Sequence, residues 1–271
     1  MIPFRARNAR RRDLAMGLIA VNVLFYGLDF ILKMMGFDLF MHMSKINPLI
    51  ATGEFWRLFT ATFAHLDFLH LLSNMWGIWI FWNINLRFYG NRKLLVIYLI
   101  SGIGGSLLSY AFSPAISLGA SGCLYGLFGA NLYLLRRNPQ AYRNIFSGDI
   151  LIILGINLFL SFTNSNIDLA GHLGGLVTGY FLAACVGVYG ERPFTRNRVL
   201  MQISLGAVLS VLLVASTLRL LTPRTYFEAV QYKLILKDIP GAISKVEQGI
   251  KKFPDSEELI LVRDQLYRLL P

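Results

Sequence analysis

Three polar clusters interrupt otherwise apolar stretches of the chain: His65, His70 and Asn74; Ser121 within Gly119-Ala120-Ser121-Gly122; and His172 within Gly171-His172-Leu173-Gly174-Gly175. Polar groups set in long apolar runs are costly, so each needs a specific partner or a task. A serine hydroxyl becomes a nucleophile when a neighbouring base takes its proton, and imidazole is the side chain with the suitable pKa. Ser121 and His172 can supply that pair. Acyl transfer also needs donors for the oxyanion. Asn74 offers an amide and His70 a ring N–H, and their four-residue spacing puts both on one helix face. The Ser121 N–H opens a helix, where backbone donors lack intrahelical partners. Tyr125, one turn on, is placed to stack on the imidazole.

The elements that must carry these groups are membrane spans. Of 271 residues, 55% are hydrophobic and only 15% charged, against about 25% charged in a soluble domain. With 20 Phe and 12 Tyr the chain is no disordered polymer, and two cysteines make no disulfide scaffold. Seven stretches suit a bilayer crossing, at about 14–35, 68–87, 94–112, 119–135, 150–163, 169–189 and 199–218. Arg5, Arg7, Arg10, Arg11 and Arg12 precede the first span. Arg87, Arg92 and Lys93 follow the second, Arg136, Arg137 and Arg143 the fourth, and Arg192, Arg196 and Arg198 the sixth. All lie on one side, which reads as cytoplasmic. The basic start fits a bacterial inner membrane, with the N-terminus inside and the C-terminus outside. The net charge of +11 is explained by this topology, and no aromatic-interleaved basic patch suggests nucleic acid.

That topology puts the three clusters at one depth, because spans two, four and six all start from the outer side. Glycines suggest how the spans meet. Gly122, Gly126 and Gly129 on span four, and Gly171, Gly175 and Gly179 on span six, form small faces that permit close backbone approach. Bland readings are preferred elsewhere: Asp168 and Asp67 as loop polar residues, Asp29 and Lys33 as a local helical pair, Cys123 and Cys185 as reduced packing thiols. The histidine spacing does not match a zinc site, so neither metal nor cofactor is expected.

The loop 36–67 is long and rich in Phe37, Phe40, Met41, Leu49, Phe55, Trp56, Leu58 and Phe63, which suggests a segment lying in the outer interface. After Leu221 charge rises sharply, and KDIPGAISKVEQGIKKFPDSEEL reads as helix, Pro-marked turn, helix. It looks like one tetratricopeptide-type unit with a flanking helix, or simply an amphipathic helical hairpin. One unit buries little alone, so self-association, packing on the membrane domain, or a protein or peptide partner is expected to complete it.

Trp56-Arg57, HLDFLHLLSN (His65 to Asn74), GASGCLYG (Gly119 to Gly126) and GHLGGLVTG (Gly171 to Gly179), in this order, resemble the rhomboid intramembrane serine proteases over about 14–190. The resemblance implies an all-α polytopic protein with a six-helix core and a seventh span. It implies a Ser121–His172 dyad without a carboxylate, and an oxyanion site of Asn74, His70 and the Ser121 N–H. By the same resemblance Tyr125 supports His172, His65 ties the second span to the first outer loop, and Gly122 and Gly175, with Gly119 of the serine motif, are packing positions. The substrates implied are transmembrane proteins within the lipid, entering between the second and fifth spans. The expected organisation is a basic segment 1–13, a core 14–190, a loop and seventh span 191–221, and a helical tail 222–271. A silent member that binds or escorts membrane clients is the alternative, and a transporter is disfavoured by the lack of internal repeats.

Overall fold

The computed structural model describes residues 13–143, 149–164, 167–191 and 195–268. The basic segment before Asp13 and Arg192 lie outside the described residues. Every regular element described is helical, and the chain is an all-α polytopic membrane protein.

The apolar runs become α1 (Asp13–Met34), α5 (Phe68–Phe112), α6 (Ser121–Arg137), α8 (Asp149–Thr163), α9 (Leu169–Val186) and α10 (Arg196–Leu220). Between α1 and α5 lie the short helices α2 (Leu39–Met43), α3 (Asn47–Ala51) and α4 (Arg57–Thr60). The short α7 (Pro139–Arg143) follows α6. The expected second and third spans differ from the sequence reading in one respect. No loop separates them: helical turns run on to either side of Gly90, which alone breaks α5 with φ 73° and ψ 164°. Glycine adopts that conformation without a Cβ penalty. Each arm is about 33 Å long, enough to cross a bilayer. Arg87, Arg92 and Lys93 therefore sit on helical turns, and Lys93 Nζ donates to the Gly187 carbonyl at 2.7 Å.

α6 starts two residues later than expected. Gly119 takes φ 108°, outside the helical range, so the first helical residue is Ser121 itself. The pair α6 and α9, flanked by α5, forms the centre, with Trp82, Tyr89 and Tyr98 fully buried. Outward faces of α1, α8 and α10 expose Leu24, Phe30, Phe159, Leu160, Val211 and Leu218. A bilayer is the solvent in which such a surface is stable.

The 36–67 loop is more deeply integrated than an interfacial segment. Phe37, Phe55 and Trp56 are exposed, but Leu49, Leu58 and Phe63 are buried. So are its cations. Lys45 Nζ donates to the carbonyls of Ser113 (3.0 Å) and Ala115 (2.7 Å), and its backbone bridges to Ser117. Arg57 pairs with Glu54 at 2.7 Å and donates to the Met41 and Ser44 carbonyls. A buried guanidinium needs such a full set of acceptors.

The tail forms α11 (Pro223–Ile235), α12 (Ile239–Lys252) and α13 (Glu257–Tyr267) around Tyr226, Val230, Ala242, Val246, Leu259 and Leu266. Thr222 and Asp238 cap the first two through side-chain oxygens that accept from Thr225 and Gly241. Of the possible ways to complete the tail, this chain uses its own loop: Ala229 packs on Ile46 and Leu49, and Lys245 Nζ donates to the Thr52 carbonyl at 2.6 Å.

Candidate active site

Glycine contacts decide where Ser121 and His172 meet. A Cβ on Gly175 would overlap the Gly122 carbonyl, and one on Gly179 the Gly126 carbonyl. The backbones of α6 and α9 thus touch directly, as the small faces suggested. At the first turns of both helices this brings Ser121 Oγ and His172 Nε2 to 2.9 Å. The Tyr125 ring stacks on the imidazole, with centroids 4.1 Å apart and planes 16° from parallel. His172 is 9% exposed while Ser121 opens onto a small cleft. Thr62, Gly102, Gly119, Ser121 and His172 are among its walls.

The α5 groups arrive at the same point. Asp67 caps α5 by accepting from the His70 N–H at 2.8 Å, which fixes the first turn. From there His70 and Asn74 project over Gly119: a Cβ at that residue would lie 2.7 Å from His70 Nε2 and 3.5 Å from Asn74 Nδ2. Gly119 is thus required both by its positive φ and by this approach. Its N–H donates to the Ala61 carbonyl at 2.8 Å, holding the turn before Ser121 against the 36–67 loop. His70 Nε2 and Asn74 Nδ2 therefore lie over the turn that leads into Ser121, and Asn74 Nδ2 also donates to the His70 carbonyl at 3.1 Å. Preorganised donors in a water-poor site are what a developing oxyanion needs.

His65 stands apart from the dyad. It is buried, its Nδ1 donates to the Phe63 carbonyl at 3.3 Å, and its ring sits edge-on to His70 with centroids 5.2 Å apart. Asp168 caps α9 by accepting from the Gly171 N–H at 3.0 Å, and no hydrogen bond joins it to the imidazole. Asp29 pairs with Lys33 at 2.8 Å and accepts from the Phe40 N–H, a local structural role. Cys123 and Cys185 are free thiols, both buried.

Sequence reasoning passed over one side chain at the site. Ser161 of α8 is buried with its Oγ 2.8 Å from His172 Nδ1. The available signal was Asn157 and Ser161, polar residues one turn apart in an apolar helix.

The Rhomboid domain family model matches residues 52–189, which hold Asn74, His70, Ser121, Tyr125, Ser161 and His172. The chain is similar to Rhomboid protease GluP of Bacillus subtilis (strain 168), at 43% identity over 145 residues, 54% of this chain and 29% of that protein. It is 36% identical over 136 residues to Putative rhomboid protease YdcA of the same organism, 49% of this chain and 68% of that one. With RHOMBOID-like protein 1 of Arabidopsis thaliana it shares 40% over 141 residues, 51% of this chain and 36% of that protein. The chain thus spans less than half of the first and third of these relatives, and the tail lies beyond the family match. Half of the chain matching one family model, with relatives above one-third identity over about half of the chain, establishes that it belongs to the rhomboid family.

Proposed function

We propose that the protein is an intramembrane serine endopeptidase. The observation that carries this reading is the 2.9 Å contact of Ser121 Oγ with His172 Nε2, beside converging donors on His70 and Asn74. Ser121 attacks a substrate carbonyl as His172 takes its proton. The oxyanion is held by His70, Asn74 and the Ser121 N–H, and His172 then protonates the leaving amine. Water reaching the cleft hydrolyses the acyl enzyme. Substrates are transmembrane proteins, entering between the first arm of α5 and α8 and unwinding locally, since a helix hides its carbonyls in internal bonds. Tyr125 supports the imidazole, Gly119, Gly122 and Gly175 permit the close packing, and His65 braces α5.

In this reading residues 1–13 are cytoplasmic, 14–190 form the catalytic core, 191–221 the last crossing and 222–271 an outer tetratricopeptide-like unit, in a bacterial inner membrane. Docking of the tail on the 36–67 loop supports placing both on one side. A fluorophosphonate probe in detergent tests the chemistry. The full chain labels, and Ser121→Ala and His172→Ala each abolish labelling. A full chain that never labels would leave a silent client-binding protein instead.

A further inference from the structure

We propose that Ser161 is a positioning residue that selects the reactive tautomer of His172, in place of a triad carboxylate. This rests on the hydrolase reading of the site. To act as a base towards Ser121, the imidazole must carry its proton on Nδ1 and leave the Nε2 lone pair towards Oγ. The opposite tautomer would donate from Nε2 to the serine and could not accept its proton. In triad enzymes a buried acid on Nδ1 makes that choice. Here Asp168 does not make it, because it caps α9 and has no bond to the ring.

The atom on Nδ1 is Ser161 Oγ, at 2.8 Å. A hydroxyl has one proton to give and two lone pairs to offer. Ser161 gives its proton to the Asn157 carbonyl, four residues back, at 2.7 Å. This back-bond is the common arrangement of a serine within an apolar helix. With its proton so engaged, Ser161 Oγ faces Nδ1 as an acceptor. Nδ1 must then be the donor, and Nε2 is left bare towards Ser121, 2.9 Å away. Helix backbone, hydroxyl, imidazole and nucleophile form a single directed chain. Ser161 is 4% exposed, so water does not readily replace it. On α8 the buried side chains among the described residues are Leu154 and Ser161, one stripe along an otherwise exposed helix. The seating of α8 and the tautomer of the base are therefore linked through one hydroxyl.

The test pairs labelling kinetics with a spectroscopic signature on the full-length protein in detergent. In protein carrying 15N-histidine, at a pH where the ring is neutral, the His172 signals are assigned by their loss in His172→Gln. Wild type shows Nδ1 protonated and Nε2 bare. Ser161→Ala gives mixed tautomers and slows fluorophosphonate labelling by about tenfold, equivalent to about 1.4 kcal/mol, in a protein that remains folded. Ser161→Thr keeps the hydroxyl and restores both readouts. An Ala variant that retains the Nδ1-protonated signal, whether its labelling falls or not, overturns the proposal. The tautomer readout needs no turnover, so a protein that never labels but shifts tautomer refutes the hydrolase reading alone.

Discussion

Replacing Glu54 by glutamine removes one negative charge from a place where three cations meet. Glu54 is buried, with a 4% exposed side chain. Oε2 pairs with Arg57 at 2.7 Å and Oε1 with Lys233 at 2.9 Å, while Lys245 stands 4.0 Å off. Burial alone would raise its pKa, but the Lys233 hydrogen bond and Arg57 outweigh that and hold the carboxyl below its ordinary value. The carboxylate thus contributes stability above its unfolded pKa, and that contribution is lost as pH falls through the depressed folded value. Glutamine fills the same volume but leaves the buried Arg57 guanidinium without a counter-charge, while Lys233 keeps Asp238 at 2.9 Å. Breaking a buried pair from one side costs about 3–5 kcal/mol. Lys233→Met costs less, because Glu54 keeps Arg57, and the double variant costs less than the sum, because the shared Glu54–Lys233 bond is lost once and not twice. Unfolding in detergent, followed by tryptophan fluorescence, measures the cycle, and hydrogen exchange over 46–58 localises it. A Glu54→Gln protein within about 1 kcal/mol of wild type, or strictly additive single variants, would refute a cooperative charge cluster.

Two further outcomes follow from particular contacts. Burial, with His70 close by, pushes His65 down to about 4 from 6.5, so the unfolded chain takes up the proton first as pH falls. Stability is complete above about 6.5 and declines by about 3 kcal/mol on going to pH 4; a pH series of unfolding curves shows this limb, and His65→Gln flattens it. Gly179→Ala drives a methyl into the Gly126 carbonyl across α6 and α9 and costs about 1–3 kcal/mol or more, whereas Gly206→Ala meets nothing within 4 Å and leaves the melting temperature the same or slightly higher.

The parts of the site that were legible in the sequence share a physical trait: each is a polar or glycine residue whose position in a span is fixed by periodicity. Ser121, His172, His70 and Asn74 are readable because helix period and span direction together place them at one depth, and glycine faces say which backbones touch. Glu54 with Lys233 and Lys245 was not legible. The partners are separated by about 180 residues, and an ion pair between a loop and a tail leaves no period in either. Ser161 was hidden for another reason. A serine bonded to its own helix looks identical in sequence whether or not its second lone pair meets a base. The bend at Gly90 was not legible because the charges of Arg87, Arg92 and Lys93 look the same on helical turns as in a connection, and only a backbone angle marks the break.

The loop before α5 connects these features into a mechanical argument. At one end Glu54 and the Thr52 carbonyl are held by Lys233 and Lys245 of the tail. In the middle Arg57 ties Glu54 to the carbonyls of Met41 and Ser44, next to Lys45. Lys45 in turn bonds the carbonyls of Ser113 and Ala115, and Ala61 accepts from Gly119, two residues before Ser121. Burial lowers Lys45 to about 8 from 10.5, against the opposing pull of Asp168, so it remains mostly charged near neutral pH, where its two carbonyl bonds are charge-assisted. None of these links touches the Ser121–His172 contact itself. They act on where the turn at Gly119 sits, not on the two side chains in that contact. A packed helix pair such as α6 and α9 fixes its own geometry. A loop has no such internal ladder, and its backbone groups must be satisfied one at a time. Hence, of the three buried Lys and Arg side chains among the described residues, Lys45 and Arg57 lie in the 36–67 loop and the third, Lys245 of α12, donates into it at the Thr52 carbonyl.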